Sequence, residues 1–201
     1  MSGRKVQQDV KDAPERNYEI VKAGFQLVLD GLGLPKTEHT ARTAERAAKA
    51  WWDEICRGLT QPPPAITTFP MHGKDSEMVI LRAIPVRSVC AHHLLPFVGT
   101  AAVAYLPGKG RVLGLSKLSR LVDYWARRPQ VQEDLTNQVA DAMAALVMGQ
   151  NRGGVGVVIR ANHSCMELRG VKHSGDMVTS ALRGSFKLPE VRAEFLRLAG
   201  V

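Results

Sequence analysis

The spacing of apolar residues divides the chain into a helical N-terminal part and a longer mixed part. Apolar positions recur at helical intervals in segment 18–32, which predicts a first helix. A second helix is predicted over 41–59, and the three prolines at 62–64 cannot continue it. We therefore predict a helical segment with a proline-rich linker at 1–64, followed by the main domain at 65–201.

The main domain shows both the strand and the helix pattern. Runs rich in β-branched and aromatic residues predict four strands, at 78–86, 97–106, 154–161 and 177–186. Between the second and the third strand, apolar residues at helical intervals predict two amphipathic helices. Their marker residues are Leu118, Leu121, Val122 and Trp125 for the first, and Val131, Leu135, Val139, Met143, Leu146 and Val147 for the second. A last short helix begins at Pro189. This order of elements predicts an α+β fold.

Candidate chemistry stands where two of these strands end. Cys90, His92 and His93 fall within four positions after the first strand, and Cys90 and His93 have C-x-x-H spacing. His163 and Cys165 follow the third strand. Because Cys sulfur and His nitrogen are the ligands that zinc prefers, the two clusters together predict a shared zinc site. At least one histidine is then left over for proton transfer.

Composition and charge restrict the cellular compartment and the class of binding partner that we expect. The chain has 201 residues, 45% of them apolar, without a run long enough for a membrane span or a signal peptide, so we expect a cytoplasmic protein that does not bind membranes. Three cysteines argue against a disulfide framework, and Cys56 fits a small apolar position in a helix. The net charge of +8 is spread along the chain rather than concentrated beside aromatic residues. We therefore expect a nucleotide as the anionic partner, and no nucleic acid.

Four segments carry a resemblance to a known family. They read CAHHLLPFVG at 90–99, GLSKLSR at 114–120, QVQEDLT at 130–136 and HSCMELRGV at 163–171. In this order they resemble the signature blocks of GTP cyclohydrolase I. The resemblance implies the tunnelling fold, with a four-stranded antiparallel sheet and two helices on one face, here with an N-terminal helical extension. It also implies a homo-oligomer, a decamer of two stacked rings, with active sites at subunit interfaces.

The same resemblance implies a reaction and its residues. The family hydrolyses the imidazole ring of GTP, releases carbon 8 as formate and forms 7,8-dihydroneopterin triphosphate. Cys90, His93 and Cys165 would bind Zn²⁺, and three protein ligands leave the open position typical of catalytic zinc. His163 corresponds to the general acid, and His92 to the second catalytic histidine.

The remaining matched positions would bind GTP. Glu133 corresponds to the carboxylate that holds the guanine edge, and Ser116 would contact the ribose. The triphosphate would be bound by basic residues from several segments, since guanidinium and ammonium groups suit phosphate oxygens. These residues are Arg46, Lys49, Lys117, Arg120 and Arg169.

Two other interpretations stay open from the sequence. A paralogue with the same site would stop at the ring-opened formyl intermediate or serve a 7-deazapurine pathway. A basic nucleic-acid-binding protein would use its zinc structurally. Structural zinc normally has four protein ligands, whereas the two clusters supply three and histidines with other roles, which favours the enzyme.

Overall fold

The computed structural model describes residues 16–71, 77–108, 110–149 and 153–201. Helix α1, Tyr18–Gly31, lies where the sequence predicts it. Its N-cap is Asn17, whose side-chain oxygen accepts hydrogen bonds from the backbone N–H groups of Glu19 and Ile20. Ring contacts at centroid distances of 6.0 Å join α1 to the next helical segment, from Tyr18 to Trp52 and from Phe25 to Trp51.

The prediction of one continuous helix over 41–59 was wrong. The segment consists of α2 (Thr43–Ala50), a π-helical turn (Trp51–Ile55) and α3 (Arg57–Thr60). The backbone N–H of Gly58 donates to the carbonyl of Arg127 at 2.9 Å, and a Cβ at Gly58 would meet that carbonyl oxygen at 2.8 Å. This close contact with a distant segment fixes Gly58, and the preceding turn widens where the chain leaves the regular helix.

Within the described residues, the main sheet consists of five strands: β2 Val79–Cys90, β3 Pro96–Leu106, β5 Pro129–Gln130, β6 Gly154–His163 and β7 Asp176–Gly184. Their spatial order is β5, β2, β3, β6, β7. Strands β2, β3, β6 and β7 pair antiparallel, as predicted, whereas the short β5 adds a parallel strand beside β2. The expected four-stranded sheet is therefore extended by one strand. A separate antiparallel pair joins β1 (Thr68–Pro70) to β4 (Arg111–Leu113).

Two helices cover one face of the main sheet. They are α4, Leu115–Ala126, and α5, Gln132–Val147, and both contribute to one buried cluster. Strand side chains alternate between faces, so every second residue of β3 and β6 reaches that cluster. The inward set is Phe97, Ala101, Val103 and Tyr105 on β3, and Val155, Val157, Ile159 and Ala161 on β6. His163 follows the same alternation, which places it at the end of the covered face.

A smaller cluster lies on the opposite face. There the rings of Phe186 and Phe195 pack edge to face, with their centroids 5.3 Å apart. Both rings belong to one cluster with Ala104 and Val158. Phe186 belongs to a 3-10 turn, Ser185–Lys187, and Phe195 to the last helix, α7, Pro189–Ala199. Among the residues described, no helix combines the length and the apolar character needed to cross a bilayer.

Candidate functional site

The turn between β2 and β3 presents the first cluster. Cys90 ends β2 in a buried position, its N–H donates to the carbonyl of Leu95, and its own carbonyl accepts from the N–H of Leu94, both at 2.9 Å. These bonds hold a tight turn whose exposed positions include His92 and His93. Leu94 has a φ of 55°, which is uncommon for a residue with a side chain and indicates local strain.

The second cluster reaches the same end of the sheet through strand pairing. His163, the last residue of β6, pairs with Phe97 near the start of β3, directly after the first turn. Cys165 follows in the one-turn helix α6, Ser164–Glu167. Because β3 and β6 pair antiparallel, Cys90 and Cys165 lie at the same end of the sheet although they are 75 positions apart in the sequence. A site shared by the two clusters requires this arrangement.

Cys90, His93 and Cys165 form a group able to bind a metal ion. One ligand atom from each lies within 4.8 Å of the others. Around a tetrahedral zinc ion, ligand atoms at about 2.0–2.3 Å from the metal lie roughly 3.3–3.8 Å apart, so the group fits one zinc ion after side-chain shifts of up to about 1 Å. Within the described residues the group has three members.

Cys165 is suited to exchange a proton for a cation. Burial raises the pKa of its thiol, a hydrogen bond with Cys90 raises it further, and the charge of Arg169 opposes these effects. Until a cation binds, Cys165 therefore stays protonated at neutral pH. A divalent cation favours the thiolate and would release this proton on binding.

The two other histidines of these clusters, His92 and His163, flank the metal-binding group. Nδ1 of His92 lies 3.7 Å from the sulfur of Cys90. The ring of His163 stacks on Phe97 with a centroid distance of 4.6 Å and an interplanar angle of 11°. Burial lowers the pKa of His163, and the charge of Glu133 opposes that shift, so the carboxylate lies within electrostatic range of the ring.

Arg169 is the one predicted phosphate-binding residue that the structure places at the metal-binding group. Its Nη1 lies 2.6 Å from Nε2 of His93. Since a guanidinium only donates hydrogen bonds, His93 Nε2 is the acceptor in this contact. A neutral imidazole has one lone pair, so His93 either accepts from Arg169 or binds a metal ion, and Arg169 must give up this hydrogen bond when a metal ion binds. A permanent positive charge therefore stands beside the group, where an anionic part of a ligand would be attracted.

The other predicted binding residues lie elsewhere on the chain. Ser116 and Arg120 are exposed and Lys117 half-buried on α4, while Arg46 and Lys49 are exposed on α2. No hydrogen bond or ion pair within the described part of the chain joins any of these five to the metal-binding group or to His163. The contacts of the chain thus connect the predicted metal ligands with His92 and Arg169, and place Glu133 within electrostatic range of His163, but they include none that links the remaining basic residues to this group.

Comparison with known proteins decides the family. The family model described as GTP cyclohydrolase I matches residues 21–200. The chain belongs to the GTP cyclohydrolase I family.

Curated relatives agree with this assignment along almost the whole chain. GTP cyclohydrolase 1 of Thermoanaerobacter pseudethanolicus is 44% identical over 183 residues, covering 90% of this chain and 95% of the relative. GTP cyclohydrolase 1 1 of Pseudomonas aeruginosa is 46% identical over 180 residues, covering 88% and 94%. Among solved structures, the archaeosine synthase QueF-Like in the apo form aligns with a TM-score of 0.41 and 20% identity, over 54% of this chain and 96% of that one.

Sequence reasoning missed one residue of this GTP cyclohydrolase I site. Gln132 is fully buried at the start of α5, and its Oε1 lies 2.8 Å from Nε2 of His163. A signal was present, because Gln132, Leu135, Thr136 and Val139 have the spacing of one helix face. A glutamine on a buried helical stripe must satisfy its amide inside the protein, which marks it as part of a polar network.

Proposed function

We propose that this protein is a zinc-dependent GTP cyclohydrolase I that opens the imidazole ring of GTP, releases carbon 8 as formate and forms 7,8-dihydroneopterin triphosphate. The observation that carries the proposal is the Cys90, His93 and Cys165 group beside His163, in a chain of this family. Two bonds to carbon 8 must be hydrolysed, so the site needs an activated water and a group that protonates the departing nitrogen.

In this proposal Cys90, His93 and Cys165 hold Zn²⁺. Bound with three protein ligands and one open position, zinc supplies Lewis acidity that lowers the pKa of water toward neutrality. His163 protonates the purine nitrogen as general acid, a role supported by its fixed ring and its half-buried setting. His92 is the second catalytic histidine, and its distance of 3.7 Å from the sulfur of Cys90 keeps it near the reacting carbon.

The substrate would span the site from the guanine to the phosphates. The carboxylate of Glu133 accepts hydrogen bonds from the ring N–H and amino group of guanine, and its influence on the pKa of His163 supports a location close to the purine. Ser116 contacts the ribose. The triphosphate is bound by Arg169 at the metal-binding group and by the four basic residues of α2 and α4, Arg46, Lys49, Lys117 and Arg120.

We further propose the tunnelling fold and a homodecameric assembly in the cytoplasm, with the active site formed between subunits. The antiparallel strands β2, β3, β6 and β7 with two helices on one face support the fold. Within the described residues, Arg46, Lys49, Lys117 and Arg120 make no hydrogen bond or ion pair with the metal-binding group, which supports a site completed by a neighbouring copy. Nucleic acid and membranes are not partners in this proposal.

Metal analysis of two cysteine variants tests the proposed centre. Purified protein should contain about one zinc per chain, and Cys165→Ser should lose zinc and GTP-dependent formate release together. Cys56→Ser is the matched control, because Cys56 is outside the metal-binding group and should keep both. Stoichiometric zinc in Cys165→Ser would remove the proposed ligand set. Unchanged formate release after the loss of zinc would show that the reaction does not use the metal.

A further inference from the structure

Gln132 makes an unusually complete set of hydrogen bonds for a buried side chain. It is 0% exposed, at the start of α5. Its Nε2 lies 3.0 Å from each of three oxygens, the carbonyls of Ile159 and Met177 and the hydroxyl of Thr179, which share the two amide hydrogens. Its Oε1 lies 2.8 Å from Nε2 of His163. The side chain therefore links strands β6 and β7 to the histidine at the end of β6.

The direction of this amide is determined by its neighbours. Backbone carbonyls only accept hydrogen bonds, so the nitrogen of Gln132 must face Ile159 and Met177. The reversed amide would set its oxygen against two carbonyl oxygens in a buried position, at a large energetic cost.

The hydroxyl groups agree with the same direction. Thr136 donates to the backbone carbonyl of Gln132 at 2.7 Å, which uses its only hydrogen. Thr179 must then donate across the 2.6 Å contact to Thr136. Its oxygen is thereby left to accept from the Gln132 amide, as the 3.0 Å distance allows.

The hydrogen on His163 follows from this network. Oε1 of Gln132 can only accept, so Nε2 of His163 must donate and carry a hydrogen. Stacking on the buried Phe97 fixes the plane of the ring, and the bond to Gln132 fixes its rotation within that plane. Within the described residues, Nδ1 of His163 has no hydrogen-bond partner.

We propose that Gln132 is a positioning residue that fixes the ring of His163 and holds its neutral form with the hydrogen on Nε2, so that Nδ1 carries no hydrogen. The purine of GTP as the group that this ring meets rests on the proposed function. The position of the hydrogen rests on the hydrogen bonds alone.

Nitrogen NMR of histidine-labelled, zinc-loaded protein tests the ring state directly. Spectra are recorded at about pH 8.5, where a histidine of ordinary pKa is neutral, and the His163 signals are those absent from His163→Asn. The expected result is a protonated Nε2 and a bare Nδ1 for His163 in the wild-type protein. Hydrogen on Nδ1 would overturn the proposal without any variant.

Three variants separate the acceptor from the rest of the network. Gln132→Met removes the acceptor and should lose the preference for the Nε2 hydrogen. In Gln132→Glu the buried, protonated carboxyl replaces the amide donor and keeps a carbonyl oxygen toward His163, so the preference should return. Thr179→Val is the matched control, because it removes one partner of Gln132 but leaves the contact with His163. Retention of the wild-type ring state in folded Gln132→Met would overturn the proposal.

Turnover gives the second readout. Gln132→Met should slow formate release about 10- to 100-fold with an unchanged Kd for GTP, because general acid catalysis is lost while Glu133 and Arg169 remain. Gln132→Glu should recover most of the rate. An equal loss of rate in Gln132→Met and Gln132→Glu would reduce Gln132 to a structural residue. If the wild-type protein released no formate, the proposed function would fail, and the NMR result would still decide the position of the hydrogen.

Discussion

The guanidinium of Arg169 lies 2.6 Å from Nε2 of His93, so this exposed arginine places a positive charge beside the metal-binding group. A charge that is fixed at all ordinary pH values attracts a triphosphate strongly and an uncharged nucleoside weakly. At the residue scale, Arg169 should therefore distinguish GTP from guanosine.

Arg169→Ala is expected to weaken GTP binding by about 1.5–3 kcal/mol, the range for hydrogen bonds to charged groups, and to leave guanosine binding unchanged. Calorimetric titration at two salt concentrations measures both affinities, and the GTP affinity should fall with salt. Arg192→Ala, an exposed arginine on α7, is the control for a simple loss of charge. Equal effects of the two substitutions, or equal affinity of the wild-type protein for GTP and guanosine, would contradict a specific role.

Cys56 differs from the other two cysteines in its surroundings. It is half-buried next to the π-helical turn, and burial raises the pKa of its thiol to about 11. Burial disfavours the charged thiolate, so the reactive form is scarce at every pH below that value. This agrees with the sequence interpretation of Cys56 as a small apolar residue.

Alkylation of Cys56 should therefore rise with pH to a midpoint near 11, rather than near the ordinary thiol value of about 8.5. Mass spectrometry after timed iodoacetamide labelling gives the rate at each cysteine. In zinc-loaded protein Cys90 and Cys165 should be protected, and a chelator should expose them. A Cys56 midpoint at the ordinary thiol value would show that the side chain is solvated.

At the scale of elements, the pairing of β3 with β6 connects the two clusters of the site. Phe97 pairs with His163 and, two positions further, Gly99 pairs with Ala161. A Cβ at Gly99 would lie 2.6 Å from Cα of Ala161 and would also collide with the carbonyl of Arg160. The close approach of these strands thus depends on glycine at this position.

Gly99→Ala is expected to destabilise the protein by about 1–3 kcal/mol, the usual cost of overpacking, because backbone atoms must move apart. Urea unfolding of the zinc-loaded protein measures the change. Gly24→Ala supplies a control of opposite sign, since Gly24 lies inside α1 with no atom within 4 Å of the added Cβ. That substitution should stabilise α1 by about 0.5–1 kcal/mol. Equal stability of the two variants would contradict the close approach at Gly99.

The sequence predicted well those elements in which the spacing of apolar residues matches the set of residues that pack into the core. Every second residue of β3 and β6 enters the core, and α4 and α5 bury one stripe each, so local periodicity carried the information. The break in the helix predicted over 41–59 depends on the contact of Gly58 with Arg127, which no local pattern reveals. Strands β1, β4 and β5 have only two or three residues, too few to show alternation.

In the site, too, some features could be predicted from local sequence and others depend on contacts between distant segments. Cys90, His93 and Cys165 were predicted as metal ligands from matched blocks, and the structure brings their ligand atoms together. The role of Gln132 was missed, since it depends on carbonyls of β6 and β7 that are distant in sequence. The division of the chain at residue 64 stays a prediction, as do the catalytic and substrate-binding roles of His92, His163, Glu133, Ser116, Arg46, Lys49, Lys117, Arg120 and Arg169.

At the scale of the whole molecule, helix α1 leaves apolar residues uncovered. Ile20, Leu27, Val28 and Leu32 are 57–76% exposed, and no residue of α1 is buried. An apolar surface of this kind on one subunit is typical of a face covered by another subunit. This exposed apolar surface favours an active oligomer.

The active species should therefore be a large ring. Light scattering coupled to gel filtration, with formate release measured in each fraction, relates mass to activity. We expect activity only in fractions many times the 22.0 kDa mass of one chain, and none in a monomer produced by dilution. A fully active monomer would contradict a site shared between subunits.

The fate of carbon 8 of GTP decides whether this protein catalyses the proposed reaction. GTP labelled with ¹³C at this carbon is incubated with the zinc-loaded protein, and ¹³C NMR follows the label while fluorescence after oxidation follows the pterin. The label should appear as free formate, one molecule for each pterin formed, and neither product should appear with Cys165→Ser. Label retained in a ring-opened formyl compound, or left in intact GTP, would contradict the proposed function.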